Sequence, residues 1–205
     1  VPDTVRIVMT IKETENEYDD TLEKSAKMTG QLKDSLRTLG FEKKDIKTLS
    51  FNINTEYESY QNEKNIWKQR LVGYTFIHRM KLEFASDSQL TGKVLYILGH
   101  SELTPEFSIE YTVSDPEKSK NELLKKAVSD SKKKAGVIAK AAGVSLGDIL
   151  SINYSWTDIE LVSRPVNSML LSCSAMKRTE EEVAIDIEPD EIRVTDSVTV
   201  VWGME

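Results

Sequence analysis

The chain has 205 residues, 30% of them charged, and a formal net charge of −7. This length allows a substantial core in one large or two small domains. The negative balance argues against general binding to nucleic acids or anionic membranes, because both would repel the chain. The longest apolar run, Val94 to Leu98, is too short to span a bilayer. The single cysteine, Cys173, excludes an internal disulfide and a thiolate metal cluster.

Hydrophobic periodicity predicts the order β-α-β-β for the first part of the chain. Alternation from Val5 to Ile11 indicates a strand, and a helix is expected from Glu17 to Leu39. Two further alternating stretches, 49–57 and 72–84, flank a polar hairpin loop at Gln61–Lys68. The stripe expected to bury the helix consists of Leu22, Ala26, Thr29, Leu32, Leu36 and Leu39.

The second part of the chain predicts a similar order after a short linking helix that Asp87 caps. A strand at 107–113 is followed by Asp115-Pro116, a typical helix start, and this helix runs to Ala142. Strands are expected at 150–156 and 192–202.

One element occurs twice and indicates a duplication. Leu39-Gly40-Phe41 precedes Asp45-Ile46 and Leu49, and at a constant offset Ala142-Gly143-Val144 precedes Asp148-Ile149 and Ile152. The predicted fold is therefore α/β in the broad sense (α+β), with duplicated β-α-β-β halves and mostly antiparallel sheets, each covered by a long helix. We assign residues 1–86 to the first half, 87–100 to the linking helix and 101–205 to the second half.

Periodicity is lost between Asp158 and Glu182, where the first half has only a short hairpin loop. Long irregular stretches in compact domains are often functional. The apolar residues here either tuck under the domain as a lid or form an interaction patch. The candidate interaction surface is Met169, Leu170, Leu171, Cys173 and Met176.

Few side chains suggest chemistry. His78 falls on the apolar face of a strand and is interpreted as a core or interface histidine, whereas His100 ends a short helix and suits a capping or solvent role. Neither has metal-ligand spacing. Cys173 is interpreted as a semi-buried thiol, or as a redox-reactive site if exposed.

The other charged stretches are interpreted first as structural. The acidic stretch 186–191 suggests calcium binding but lacks the spacing of an EF-hand loop. The lysines at 132–134 fit a solvated helix face, with binding of an acidic partner as the lesser alternative. No nucleophile motif or phosphate-binding glycine loop is present in the sequence. We therefore predict no catalytic, cofactor-binding or metal-binding residues.

With these residues in place, the chain resembles the SIMPL-domain family. The matching marks run through nearly the whole chain: Asp45-Ile46-Lys47-Thr48, Phe51, Ile53, Tyr57, Gly73-Tyr74, Ala127-Val128, Asp130, Ala135, Ile138-Ala139, Gly143, Leu146-Gly147 and Ile187-Glu188-Pro189. The resemblance implies two β-α-β-β halves, export from the cytoplasm and self-assembly. Bacterial relatives are linked to oxidative-stress defence, and one periplasmic immunogenic member is a ring-like oligomer. The family has no established catalytic residues to carry over.

We therefore expect a non-enzymatic protein, periplasmic or secreted, whose signal peptide has been removed. It would form a homo-oligomer or bind a protein partner, using the stretch around Met169–Met176 and exposed sheet edges. The alternative is a small-molecule-binding or thiol-redox protein that uses Cys173 or a cleft between the halves. An enzyme with a carboxylate pair is a third possibility, although no spacing of the acidic residues supports it.

Overall fold

The computed structural model describes residues 2–154, 161–164 and 191–205. The elements in these ranges are β1 (Thr4–Glu15), α1 (Tyr18–Arg37), β2 (Ile46–Gln61), β3 (Trp67–Ala85), α2 (Ser88–Gly99), β4 (Glu106–Thr112), α3 (Pro116–Ala142), β5 (Leu146–Tyr154) and β6 (Val198–Met204). All strand pairs are antiparallel. The helices and antiparallel sheets confirm the predicted α+β class.

The described strands form two sheets. Four strands lie in the order β2-β3-β1-β4, and β5 pairs with β6 in a second sheet. β4, which the sequence assigns to the second half, is hydrogen-bonded to β1 of the first half, with Thr4 opposite Thr112. The second sheet contacts α3, where the Trp202 indole N–H donates to the Ser131 hydroxyl at 3.1 Å. The division of the chain into duplicated halves stays a prediction.

Both copies of the repeated turn contain a glycine in a left-handed conformation. Gly40 has φ 93° and Gly143 has φ 75°, values that side chains with a β-carbon rarely adopt. Gly143 ends α3 as a left-handed cap, and the amide of Val144 donates to the Ala139 carbonyl at 3.1 Å. After Gly40, a carboxylate oxygen of Asp45 accepts the Glu42 amide at 2.8 Å just before β2. These repeated residues shape the turns.

The main core lies on one side of the four-stranded sheet, against α1 and α2. Alternate residues of β1 and β3 point to this side, as the period of two predicts. The buried cluster includes Val5, Ile7, Met9 and Ile11 of β1, Phe76, Met80 and Leu82 of β3, Leu32 and Leu36 of α1, and Val94, Leu95 and Leu98 of α2. The opposite side of this sheet carries the polar residues of the same strands.

The predicted stripe of α1 is wrong in its first two turns. Leu22 is 39% exposed, and the buried positions there are Thr21 and Ser25. Both hydroxyls hydrogen-bond to carbonyls of the same helix, Thr21 to Glu17 and Ser25 to Leu22, each at 2.8 Å. Because these hydroxyls are satisfied locally, the two small side chains can be buried at little cost.

Candidate interaction surface

The β2–β3 hairpin extends beyond the rest of its sheet. β1 ends at Glu15, which lies opposite Tyr74 of β3. Past that pair, β2 and β3 continue to pair with each other as far as Gln61 and Trp67. We call residues 56–73 the hairpin arm. The alternating stretches 49–57 and 72–84 are shorter than these strands and give no indication of this projection.

The arm begins at a bulge that contains a glycine. The register shifts between Glu56 and Tyr57, so that Val72 is the extra residue on β3. The neighbouring Gly73 has φ 157° and lies against the end of β1, where a β-carbon would stand 3.2 Å from the Glu15 carbonyl carbon and overlap its oxygen. Only glycine fits this approach of two backbones.

The tip of the arm is held by one side chain. The amide oxygen of Asn62 accepts the backbone N–H groups of Lys64 and Ile66, each at 3.0 Å. The backbone N–H of Asn62 in turn donates to the Ile66 carbonyl at 3.0 Å. Asn65 adopts a left-handed conformation with φ 57°. These hydrogen bonds give the turn a defined geometry.

The two faces of the arm differ in character. Paired residues share a face, so the strand register places Tyr57, Ser59, Gln61, Trp67, Gln69 and Leu71 together. None of these side chains is charged, and Tyr57, Trp67 and Leu71 are 58%, 68% and 47% exposed. We call these six residues the apolar arm face. The other face carries the Glu58–Arg70 ion pair, with the Arg70 guanidinium 5.7 Å from the centre of the Tyr60 ring.

The apolar arm face continues the helix-covered side of the sheet. The register keeps Tyr57 on the same side as Ile53 and Phe76. The covering helix α1 starts at Tyr18, whose ring meets the Tyr74 ring edge-on with centroids 5.6 Å apart. Because α1 begins at Tyr18, the helix does not cover the side chains of Tyr57, Trp67 and Leu71. Exposed apolar clusters of this kind are typical of interaction sites.

His78 lies between α1 and the sheet, as predicted for a core histidine. Its Nδ1 is 2.9 Å from the Thr29 hydroxyl and its Nε2 is 2.9 Å from the Thr48 hydroxyl, and the Phe51 ring meets it edge-on. Burial, together with the charge of Lys33, lowers the pKa of His78. The neutral imidazole therefore links α1 to β2.

His100 has the capping role that its position predicts. Its Nδ1 lies 2.9 Å from the Tyr96 carbonyl oxygen, and its backbone amide donates to the same carbonyl at 3.0 Å. The imidazole also stacks on the Tyr96 ring, with centroids 4.0 Å apart. These contacts end α2.

A cluster of charged side chains occupies the other side of the sheet. Glu110, which is nearly buried, accepts from Arg164 at 2.9 Å and lies 3.5 Å from Arg6. Burial would raise the pKa of Glu83, but hydrogen bonds and charges from Lys81 and Arg6 hold it below its usual value. Each carboxylate here is therefore engaged by cations of the chain.

Residues 161–164 are the described part of the divergent stretch, and they lie against β4. The backbone N–H and C=O groups of Ser163 pair with those of Tyr111, at 2.8 and 2.9 Å. The Thr112 hydroxyl donates to the Leu161 carbonyl at 2.8 Å. Together with Arg164, these bonds attach the segment to the edge of the sheet.

The predicted interaction surface of Met169, Leu170, Leu171, Cys173 and Met176 lies outside the described residues, as does most of the acidic stretch 186–191. Within the described ranges, no group of three or more His, Cys, Asp or Glu side chains is arranged to hold a metal ion. No helix in those ranges is both long enough and apolar enough to cross a membrane.

Comparison with known proteins identifies one family. The sequence model of SIMPL, described as a protein of unknown function (DUF541), matches residues 1–202. A search among curated proteins finds no match.

Proposed function

Because the chain belongs to the SIMPL family, whose function is unknown, we propose a function from its own geometry: it is a non-enzymatic protein that assembles with further copies of itself through the hairpin arm. The observation that carries this proposal is the uncharged apolar arm face, with three large exposed side chains. Aromatic residues of this kind dominate binding energy at protein interfaces.

Charge favours a second copy as the occupant of this face. A net charge of −7 makes two copies repel each other at long range. Six neighbouring residues without charge form a place where two copies can meet without bringing like charges into contact. The charged side chains on the paired strands of the arm, Glu56, Glu58, Lys68 and Arg70, lie on its other face.

The test is the concentration dependence of molecular mass, measured by light scattering and sedimentation. The double substitution Trp67→Ser/Leu71→Ser is expected to raise the dissociation constant of self-association by at least about 30-fold, which corresponds to the loss of a hot spot of ~2 kcal/mol. The matched control is Tyr60→Ser, which removes an aromatic ring from the opposite face. A wild-type protein that stays monomeric at high concentration, or an unchanged constant for the double variant, contradicts the proposal.

The proposal also places the protein in the periplasm or at the cell surface, in defence of the envelope against stress. The support for this part is the family resemblance. Fractionation of cells that express the full-length gene product checks it, and an accumulation in the cytoplasm would refute this part while leaving the arm contact untouched.

A further inference from the structure

The outer edge of β2 is free along its whole length among the described strands. β2 is the terminal strand of its sheet and has 16 residues. Leu49 is the extra residue of a bulge, so the regular edge begins at Ser50. From Ser50 to Thr55 no residue is charged and none is proline. Proteins usually protect edge strands from pairing with charged residues or proline. Because this segment has neither, it is open to the addition of a strand.

The opposite edge of the same sheet is occupied in part. β4 is short, and its Tyr111 already exchanges backbone hydrogen bonds with Ser163. Glu106, at the start of β4, pairs with Lys12 at 2.6 Å. Of the two edges of this four-stranded sheet, the edge of β2 is the one suited to a partner strand.

The side chains of this edge are complementary to themselves. Asn52 and Asn54 point away from the helices, and a side-chain amide both donates and accepts hydrogen bonds, so it can pair with an identical group. Phe51, Ile53 and Thr55 point to the helix side, and aromatic or β-branched residues form favourable cross-strand pairs. A two-fold contact requires one surface that fits itself in this way.

Charged residues at the two ends of the uncharged segment favour antiparallel over parallel pairing of two β2 strands. Lys47 lies before the uncharged segment, whereas Glu56 and Glu58 lie after it, on the same face of the strand. In an antiparallel pair, the lysine of each copy approaches the glutamates of the other. A parallel pair would bring like charges together, which is unfavourable.

We infer that two copies join antiparallel along Ser50–Glu56, with a two-fold axis at Ile53, so that the two sheets become continuous. Ile53 is the central residue of this segment, and the register places Asn52 of one copy opposite Asn54 of the other. The inference rests on the proposed self-assembly and adds a second contact, distinct from the apolar arm face.

Disulfide cross-linking tests the register. In a Cys173→Ser background, the Asn52→Cys protein is mixed with the Asn54→Cys protein under mild oxidation. Directly opposed positions in an antiparallel pair are close enough for a disulfide, so the mixture should form the heterodimer at least about tenfold faster than either protein forms a homodimer. Equal rates in all three samples, or faster homodimers, would overturn the inference.

Mass measurements separate this inference from the proposed function. The Asn52→Lys/Asn54→Lys protein places lysines opposite each other and should lose the edge contact, whereas Ser108→Lys/Ser129→Lys adds the same charge at exposed sites elsewhere and should keep it. If the edge variant has the wild-type mass and only Trp67→Ser/Leu71→Ser dissociates, the inference fails and the arm contact stands. If the edge variant dissociates and the arm variant does not, the arm contact fails.

Discussion

Gly73 lies against Glu15 so closely that the end of β1 leaves no room for a side chain at that position. A β-carbon on Gly73 would overlap the Glu15 carbonyl oxygen, and the φ of 157° adds strain. The contact occurs where the hairpin arm leaves the sheet, so the same residue permits the bulge and sets the course of the arm.

Gly73→Ala should therefore destabilise the protein by about 1–3 kcal/mol, because two backbones must separate or strain. Gly30→Ala is the matched control, since a β-carbon at Gly30 meets open space within α1. It should stabilise the protein by about 0.5–1 kcal/mol through the better helix propensity of alanine. Urea unfolding measures both free energies, and equal effects of the two variants would show that the close approach is not rigid.

Folding stability should fall at mildly acidic pH because of His78. Its pKa is lowered in the folded state by burial and by Lys33, so the unfolded chain binds this proton more readily. The contribution of neutral His78 to the free energy of unfolding is thus complete above the unfolded pKa of about 6.5. It decreases as the pH falls through that value towards the folded pKa.

His78→Gln removes this titration and should flatten the dependence of unfolding free energy on pH between about pH 7 and 5. The outcome that contradicts the prediction is a slope in this pH range that His78→Gln leaves unchanged.

Glu110 should hold residues 161–164 on the sheet. Glu110→Ala removes an acceptor of Arg164 and leaves Arg6 with Glu83 alone. Hydrogen exchange of the Ser163 amide, which donates to the Tyr111 carbonyl, is expected to become several-fold faster. Glu106→Ala removes an exposed ion pair from the same strand and should leave that exchange rate as it is.

Asn62 should determine the order of the arm tip. Asn62→Ala deletes the oxygen that accepts from Lys64 and Ile66, and both amides should then exchange faster with solvent. Asn62→Asp retains an acceptor at the same place and should preserve most of the protection. If both variants behave alike, the turn is held by its backbone and not by this side chain.

Period and turn chemistry predict the elements of this chain well, because they are local. The alternation from Val5 to Ile11 and the left-handed glycines 40 and 143 follow from rules that involve a few neighbouring residues. The stripe of α1 was displaced because Thr21 and Ser25 bury hydroxyls that their own helix satisfies. The pattern of polar and apolar residues does not show which hydroxyl groups will bond to carbonyls of their own helix.

Pairing partners are harder to predict, since periodicity does not say which strand lies beside which. β4 joins β1 across about a hundred residues of sequence, and nothing in its own pattern distinguishes that neighbour from β5. The sequence pattern does not reveal the apolar arm face, because Tyr57 alternates like a buried strand residue and Leu71 lies outside the alternating stretch 72–84. The difference in strand length that defines the arm, 12 residues in β1 against 16 and 19 in β2 and β3, emerges only in the structure.

The bridge between Ser163 and Tyr111 bears on how far strand pairing can spread. In cross-β stacking each added chain restores the template for the next, so growth has no natural end. Among the described strands of the four-stranded sheet, the β4 edge is occupied at Tyr111, and pairing of two such sheets along β2 uses the β2 edge in both copies. The bridge at β4 thus leaves a shorter edge for further pairing once the β2 edges are used, and so limits the growth of a continuous sheet.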